Sequence, residues 1–249
     1  MGRAARAHSV SGGHGAPERA VVFGATGYTG QAVVRALRAR GVVTAAHIRP
    51  DSPKLEAFRT TWSAIGAELN ATPWEREALK ARLTEFGPTA VFSLLGTTRK
   101  RESADKKAGR DSSYDAVDVG LSLLALEATC HATPKPRFIY LSSLGVTPST
   151  RNAYLAARAK VEAAIHASGV PFIIARPSFI TGPDREEKRA LERVSAVIAD
   201  GLFAGLGAIG LKGVGARYGP KTADELGSSL VRLALAPDFT SRVVESEKL

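Results

Sequence analysis

Ala20-Val21-Val22-Phe23-Gly24-Ala25-Thr26-Gly27-Tyr28-Thr29-Gly30 decides the fold. A short apolar run meets three glycines at a spacing of three, and Gly30 to Arg40 then carries apolar residues at helical intervals, with Ala32, Val33, Ala36 and Leu37 on one face. A buried strand, a tight glycine turn and a helix are predicted, with Gly41 as the helix stop. Glycine lacks a Cβ, so backbone in this turn can lie against a pyrophosphate. The helix start then presents N–H groups and a positive dipole end to the same anion.

Outward from this turn the same alternation repeats. Val42–Ile48 reads as a second strand, Pro53–Ile65 as a helix, Ala67–Leu69 as a short strand and Trp74–Phe86 as a helix closed by Gly87-Pro88. Ala90–Leu95 is a continuous apolar strand of the kind buried on both faces. A long helix is predicted over Tyr114–Thr129, a strand over Phe138–Leu141, a helix over Tyr154–Ser168 and a strand over Phe172–Ala175. The fold class is therefore α/β: a doubly wound Rossmann-like parallel sheet with helices on both faces. After Pro177 the pattern changes, and a small C-terminal cap is expected over residues 178–219, followed by a helix over Asp224–Leu235.

Composition narrows the class. The chain has 249 residues, 44% hydrophobic and 23% charged, which suits one globular domain over 19–249. Residues 1–18 are expected to form a disordered tail; their acid-poor, Arg-containing bias also suits an organelle-targeting peptide. No apolar run reaches the length of a membrane span, and a cytoplasmic location is expected. Cys130 is the one cysteine and the five histidines lack ligand spacing, so no metal site is expected. The net charge of +10 is scattered, with a denser stretch over 99–110 that has no interleaved aromatic residues. That disfavours nucleic acid as the partner and suits an anionic cofactor.

The end of the second strand reads on cofactor choice. NAD enzymes usually place an acid there for the ribose 2′-hydroxyl, whereas this strand ends Ile48-Arg49-Pro50. Arg49 can pair with a 2′-phosphate, which favours NADP(H); Asp51 keeps NAD(H) possible. Ser142-Ser143 ends a later strand at the same sheet edge. Downstream, Tyr154 and Arg158 are one helical turn apart and share a face. A tyrosine beside a cation can exchange a proton with a carbonyl or alcohol oxygen. Asp118 lies on the long helix, and the sequence leaves open whether it is a surface acid or a functional one. Lys160, two positions beyond Arg158, points to another side of the helix and is the poorer partner for Tyr154.

Taken in order, Gly24-Ala-Thr-Gly-Tyr-Thr-Gly30, Leu95-Gly96-Thr97-Thr98-Arg99, Val117-Asp118, Leu141-Ser142-Ser143-Leu144-Gly145, Tyr154-Leu155 with Val161-Glu162, and Arg176-Pro177 resemble the short-chain dehydrogenase/reductase superfamily. More narrowly, they resemble its atypical, NmrA-like NAD(P)H-binding group, over roughly residues 20–182. The resemblance implies that Gly24, Gly27 and Gly30 hold the pyrophosphate, with Thr26, Tyr28 and Thr29 of the same turn also binding the cofactor, and that Gly96 and Thr97 line the adenosine side. It implies Ser143 as the group orienting the substrate oxygen and Tyr154 as the acid/base. It gives Arg158 the nicotinamide ribose and the tyrosine, and sets Pro177 beside the nicotinamide. Two departures stand out: Arg158 replaces the expected lysine, and the loop from Arg99 to Asp118 is long and basic. The expected function is an NADP(H)-dependent oxidoreductase acting on a carbonyl or alcohol. The alternative is a non-catalytic, redox-sensing NADP(H)-binding regulator working through a protein partner.

Overall fold

The computed structural model describes residues 18–96, 114–178, 180–181, 221–238 and 240–249. The tail 1–17, Thr97, the basic loop 99–110 and nearly all of the expected cap lie outside these residues.

Seven parallel strands form one sheet in the order β3-β2-β1-β4-β5-β6-β9. They are β1 (Arg19–Phe23), β2 (Val43–His47), β3 (Glu68–Asn70), β4 (Ala90–Ser93), β5 (Arg137–Leu141), β6 (Phe172–Arg176) and β9 (Arg242–Glu245). A second, two-stranded parallel ladder joins β7 (Ile180–Thr181) to β8 (Lys221–Thr222). The helices are α1 (Tyr28–Arg38), α2 (Leu55–Ala64), α3 (Arg76–Phe86), α4 (Leu121–His131), α5 (Ala153–Ala167) and α6 (Ala223–Ala234). Both faces of the sheet are covered, as the sequence pattern required. Val33, Leu37, Trp62, Leu226 and Leu230 pack on one face against Val22, Phe92 and Ile139. Leu79, Leu83, Ala125, Val161 and Ile165 pack on the other against Phe23, Val91, Phe138 and Ile174. Alternate residues of one strand thus feed two cores, which is why the central strands read as unbroken apolar runs.

Three details differ from the sequence reading. The predicted helix over Tyr114–Thr129 begins instead with a wider, π-type turn over Tyr114–Gly120 before α4. Strand β9 was not foreseen, because Arg242-Val243-Val244-Glu245 is short and charged at both ends; its ladder with β6 makes it a strand. The fourth strand stops at Ser93 rather than Leu95.

Strand order reverses between β1 and β4, so a crevice opens at their C-terminal ends. In open α/β sheets this switch point is where ligands bind. The glycine turn after β1, the end of β2, the residues after β4 and β5, and Pro177 after β6 all gather at that edge.

Candidate cofactor and proton-transfer site

The turn after β1 is built from backbone alone. Gly24 has φ +81°, and a Cβ there would stand 2.7 Å from the Leu94 carbonyl oxygen. The Gly27 N–H donates to the Gly24 carbonyl at 3.0 Å, closing the turn. At Gly30 a Cβ would overlap the Gly24 carbonyl oxygen and stand 2.8 Å from the Ala25 Cα. Both obstacles are backbone, so the helix can sit this close only with glycine. Gly27 caps α1 without a side-chain hydrogen bond, and the first turn of α1 holds no carboxylate. The positive end of the helix thus meets no carboxylate in its own first turn, and lies at the crevice as an anion site would. Thr26 is exposed on the turn, Tyr28 is half-buried and Thr29 is buried.

Arg49 follows β2 by two residues, half-buried, with Nε 3.8 Å from Asp51 Oδ1. Beside it lies a polar pair that the sequence reading missed. Asn70 ends β3 and is buried; its Oδ1 accepts from the Thr72 N–H and hydroxyl, while its Nδ2 has no hydrogen-bond partner among the described residues. His47 ends β2, donates from Nε2 to the Thr72 carbonyl at 2.8 Å and packs between Phe23 and Trp74. Burial pulls the His47 pKa down to about 4, against the opposing effect of the Thr72 hydrogen bond. It is therefore a neutral ring at physiological pH.

On the other side of the switch point, α5 carries Tyr154, Arg158 and Glu162 at successive turns of one face. Asn152 caps this helix, accepting from the Tyr154 and Leu155 N–H groups at 3.0 and 3.2 Å, and so fixes where Tyr154 enters. The Arg158 guanidinium is buried, with its Cζ 5.2 Å from the Tyr154 ring centroid. The pairing read from sequence spacing is present as a cation–π contact.

The remaining surroundings of Arg158 were not legible. Nη2 lies 2.7 Å from Asp118 Oδ1, and Asp118 is fully buried. Asp118 is therefore not the surface acid that one reading of the sequence allowed. Nη1 donates to the carbonyls of Leu95 and Leu141 and to the Tyr140 hydroxyl at 3.0–3.1 Å. Gly96 lies against the same group: a Cβ there would stand 2.8 Å from Arg158 Nη2. Burial alone would lower the arginine pKa, but Tyr154, Tyr140 and Asp118 together raise it above the ordinary value. Burial pushes the Tyr140 hydroxyl up to about 12, with Arg158 opposing. The guanidinium is thus permanently charged and its Nη groups are held by strand ends and Asp118.

Ser143 is half-buried after β5, and its hydroxyl donates to the Leu144 carbonyl at 3.3 Å. Pro177 is buried after β6. The two loops touch, because the Leu144 N–H donates to the Pro177 carbonyl at 3.0 Å. Lys160 is exposed, in keeping with its poorer spacing. Among the described residues no cluster of His, Cys, Asp or Glu could hold a metal, and no helix is long and apolar enough to cross a membrane.

Known proteins place this arrangement. The mitochondrial protein FMP52 of Coccidioides immitis (strain RS) is 29% identical over 187 residues, covering 72% of this chain and 72% of that protein. An oxidoreductase of the short-chain dehydrogenase/reductase family from Burkholderia thailandensis superposes with a TM-score of 0.63 at 20% identity, over 93% of this chain and 92% of its own. UDP-glucose 4-epimerase from Brucella ovis, solved with NAD, superposes with a TM-score of 0.52 at 18% identity, over 67% of this chain and 54% of its own. Residues 24–200 match the NAD(P)H-binding family. With the glycine turn at the switch point and most of its length matched, the chain belongs to that NAD(P)H-binding family, and it shares the fold of those two solved structures.

Proposed function

We propose that this protein is an NADP(H)-dependent oxidoreductase that interconverts a carbonyl and an alcohol. The observation that carries the reading is the glycine turn at the switch point, whose spacing only glycine permits, combined with Arg49 rather than an acid at the end of β2. The site's own chemistry suits a dinucleotide. Gly24 to Gly30 and the start of α1 would take the pyrophosphate, Arg49 a 2′-phosphate, Gly96 the adenosine side and Pro177 the nicotinamide side. Bound there, the cofactor supplies the hydride.

In the reducing direction, Tyr154 donates its Oη proton to the substrate oxygen as that oxygen gains charge. Ser143 turns its hydroxyl from the Leu144 carbonyl to hydrogen-bond the same oxygen. Arg158 holds the Tyr154 ring from behind and keeps positive charge beneath the site. With its Nη groups engaged by Leu95, Tyr140, Leu141 and Asp118, it acts on the tyrosine and the strand ends more readily than as a new ribose ligand.

Calorimetric titration with NADPH and NADH, repeated for Arg49→Ala, tests the cofactor half. The expected result is tighter NADPH binding, with the preference lost in the variant; equal affinities in the unaltered protein would refute the role of Arg49. A second reading, a non-catalytic regulator that reports the state of bound NADP(H) to a protein partner, is favoured by one observation: the expected lysine is an arginine buried against Asp118. Reductase turnover with a panel of carbonyl compounds, abolished by Tyr154→Phe, would decide for the enzyme.

A further inference from the structure

Glu162 lies two turns beyond Tyr154 on α5, buried beneath the junction of β5 and β6. It accepts from the Ser142 hydroxyl at 2.5 Å, and Arg176 grips it with Nε at 3.0 Å and Nη2 at 2.5 Å. Ser142 is the residue before Ser143, and Arg176 the residue before Pro177. Arg176 also reaches Glu245 of β9 at 3.1 Å. Just beyond this pair, the Ser246 hydroxyl donates to Ser178 Oγ at 2.9 Å and accepts from the Ser178 N–H at 3.1 Å. The two loops are then tied to each other by Leu144 N–H and the Pro177 carbonyl.

We infer that Glu162 is a positioning residue: a single buried carboxylate that sets both loops flanking the nicotinamide side of the site, one through Ser142 and the other through Arg176. This rests on the cofactor reading above, though the anchoring itself does not require a bound nucleotide. A buried carboxylate with three charge-assisted or hydroxyl donors is a rigid hub, and its loss leaves Ser142 and part of Arg176 without their acceptor. The partners of Glu162 stand at the ends of β5 and β6 and not in the glycine turn, so the adenosine half should not sense the change.

The test compares Glu162→Gln with the unaltered protein using NADPH and 2′,5′-ADP, which shares only the adenosine half. Binding of both is measured by calorimetry, the fluorescence of bound reduced nicotinamide is followed, and amide exchange is measured at Leu144 and Ser178 without nucleotide. The expected result is 2′,5′-ADP affinity unchanged within about twofold, NADPH affinity about tenfold weaker, bound-nicotinamide fluorescence shifted towards that of free NADPH, and faster exchange at both amides. Unaltered NADPH affinity with unaltered exchange overturns the inference, as does equal weakening of both nucleotides. If Glu162→Gln does not fold, Ser142→Ala, which removes one arm only, is judged by the same readouts. Should the unaltered protein bind neither nucleotide, the cofactor reading fails, and amide exchange alone still decides whether Glu162 holds the loops.

Discussion

Removing the Asp118 carboxylate should destabilise the protein far more than its place on a single helical turn suggests. Asp118 and Arg158 stand 2.7 Å apart with side chains 0% and 5% exposed. At that distance, and with an effective dielectric of ~20, the attraction is about 6 kcal/mol, much of it offset by the desolvation of both ions. The net worth of the intact pair is therefore small, but breaking it is costly. Asp118→Ala strands a buried guanidinium, and such losses run to about 3–5 kcal/mol. That is a large share of a typical ~5–15 kcal/mol total, and in a chain of this size it lowers Tm by roughly 10 °C. Asp118→Asn keeps the shape and one acceptor, and should cost about 2 kcal/mol. Replacing both partners, Asp118→Leu with Arg158→Met, removes both desolvation penalties but also the donor to Leu95, Leu141 and Tyr140, so it should recover only part of the loss and end about 1–2 kcal/mol below the starting protein. Urea unfolding of the four proteins at pH 7 measures all of this. A loss below ~1 kcal/mol in Asp118→Ala, or a double variant as unstable as the single one, would refute the reasoning.

Other consequences are as direct. Gly30→Ala forces a Cβ into the Gly24 carbonyl and the Ala25 Cα, so it should cost at least about 2 kcal/mol by thermal melting and abolish NADPH binding by calorimetry. The buried His47 sets an acid limit. Its folded pKa of about 4 lies below the unfolded value of 6.5, so the folded state binds fewer protons across that window. Its contribution to stability is complete above about pH 6.5, declines as the pH falls and is lost below about pH 4, a total of about 3 kcal/mol. Chemical unfolding between pH 7 and 4 should show this slope, and His47→Gln, which keeps a donor for the Thr72 carbonyl, should flatten it. Thr222 and Glu225 form a reciprocal cap at the start of α6, so Thr222→Ala should lower stability by about 1 kcal/mol in urea titrations without altering nucleotide affinity.

The parts of the architecture legible in the sequence were those governed by neighbours along the chain. The run Ala20–Phe23, the glycines after it and the apolar face of α1 are all local signals, and the sheet follows from their repetition. The pairing of Tyr154 with Arg158 came from helical spacing, and the structure brings the two together. What escaped was decided by partners far away in sequence. Asp118 looked as much like a surface acid as a functional one, because its cation lies forty positions downstream on another helix. Glu162 could have been singled out, since it continues the face of Tyr154 and Arg158, yet nothing local said that Arg176 would meet it from β6. Strand β9 has no periodic signature in four residues, and its identity comes from the ladder to β6. The wide turn over Tyr114–Gly120 carries no composition that separates it from an ordinary helix.

The short ladder between β7 and β8 has a consequence for how the protein could change. Ile180 pairs with Lys221 and Thr181 with Thr222, so the two ends of residues 182–220 are held about 5 Å apart. Behind that clasp, α6 is seated on α1 through Gly227 against Ala32, with Arg35 and Asp224 bridging at 2.6 Å. Because closing a longer loop adds only about 0.6 kcal/mol per doubling, the clasp itself is little sensitive to the number of residues that separate Thr181 from Lys221.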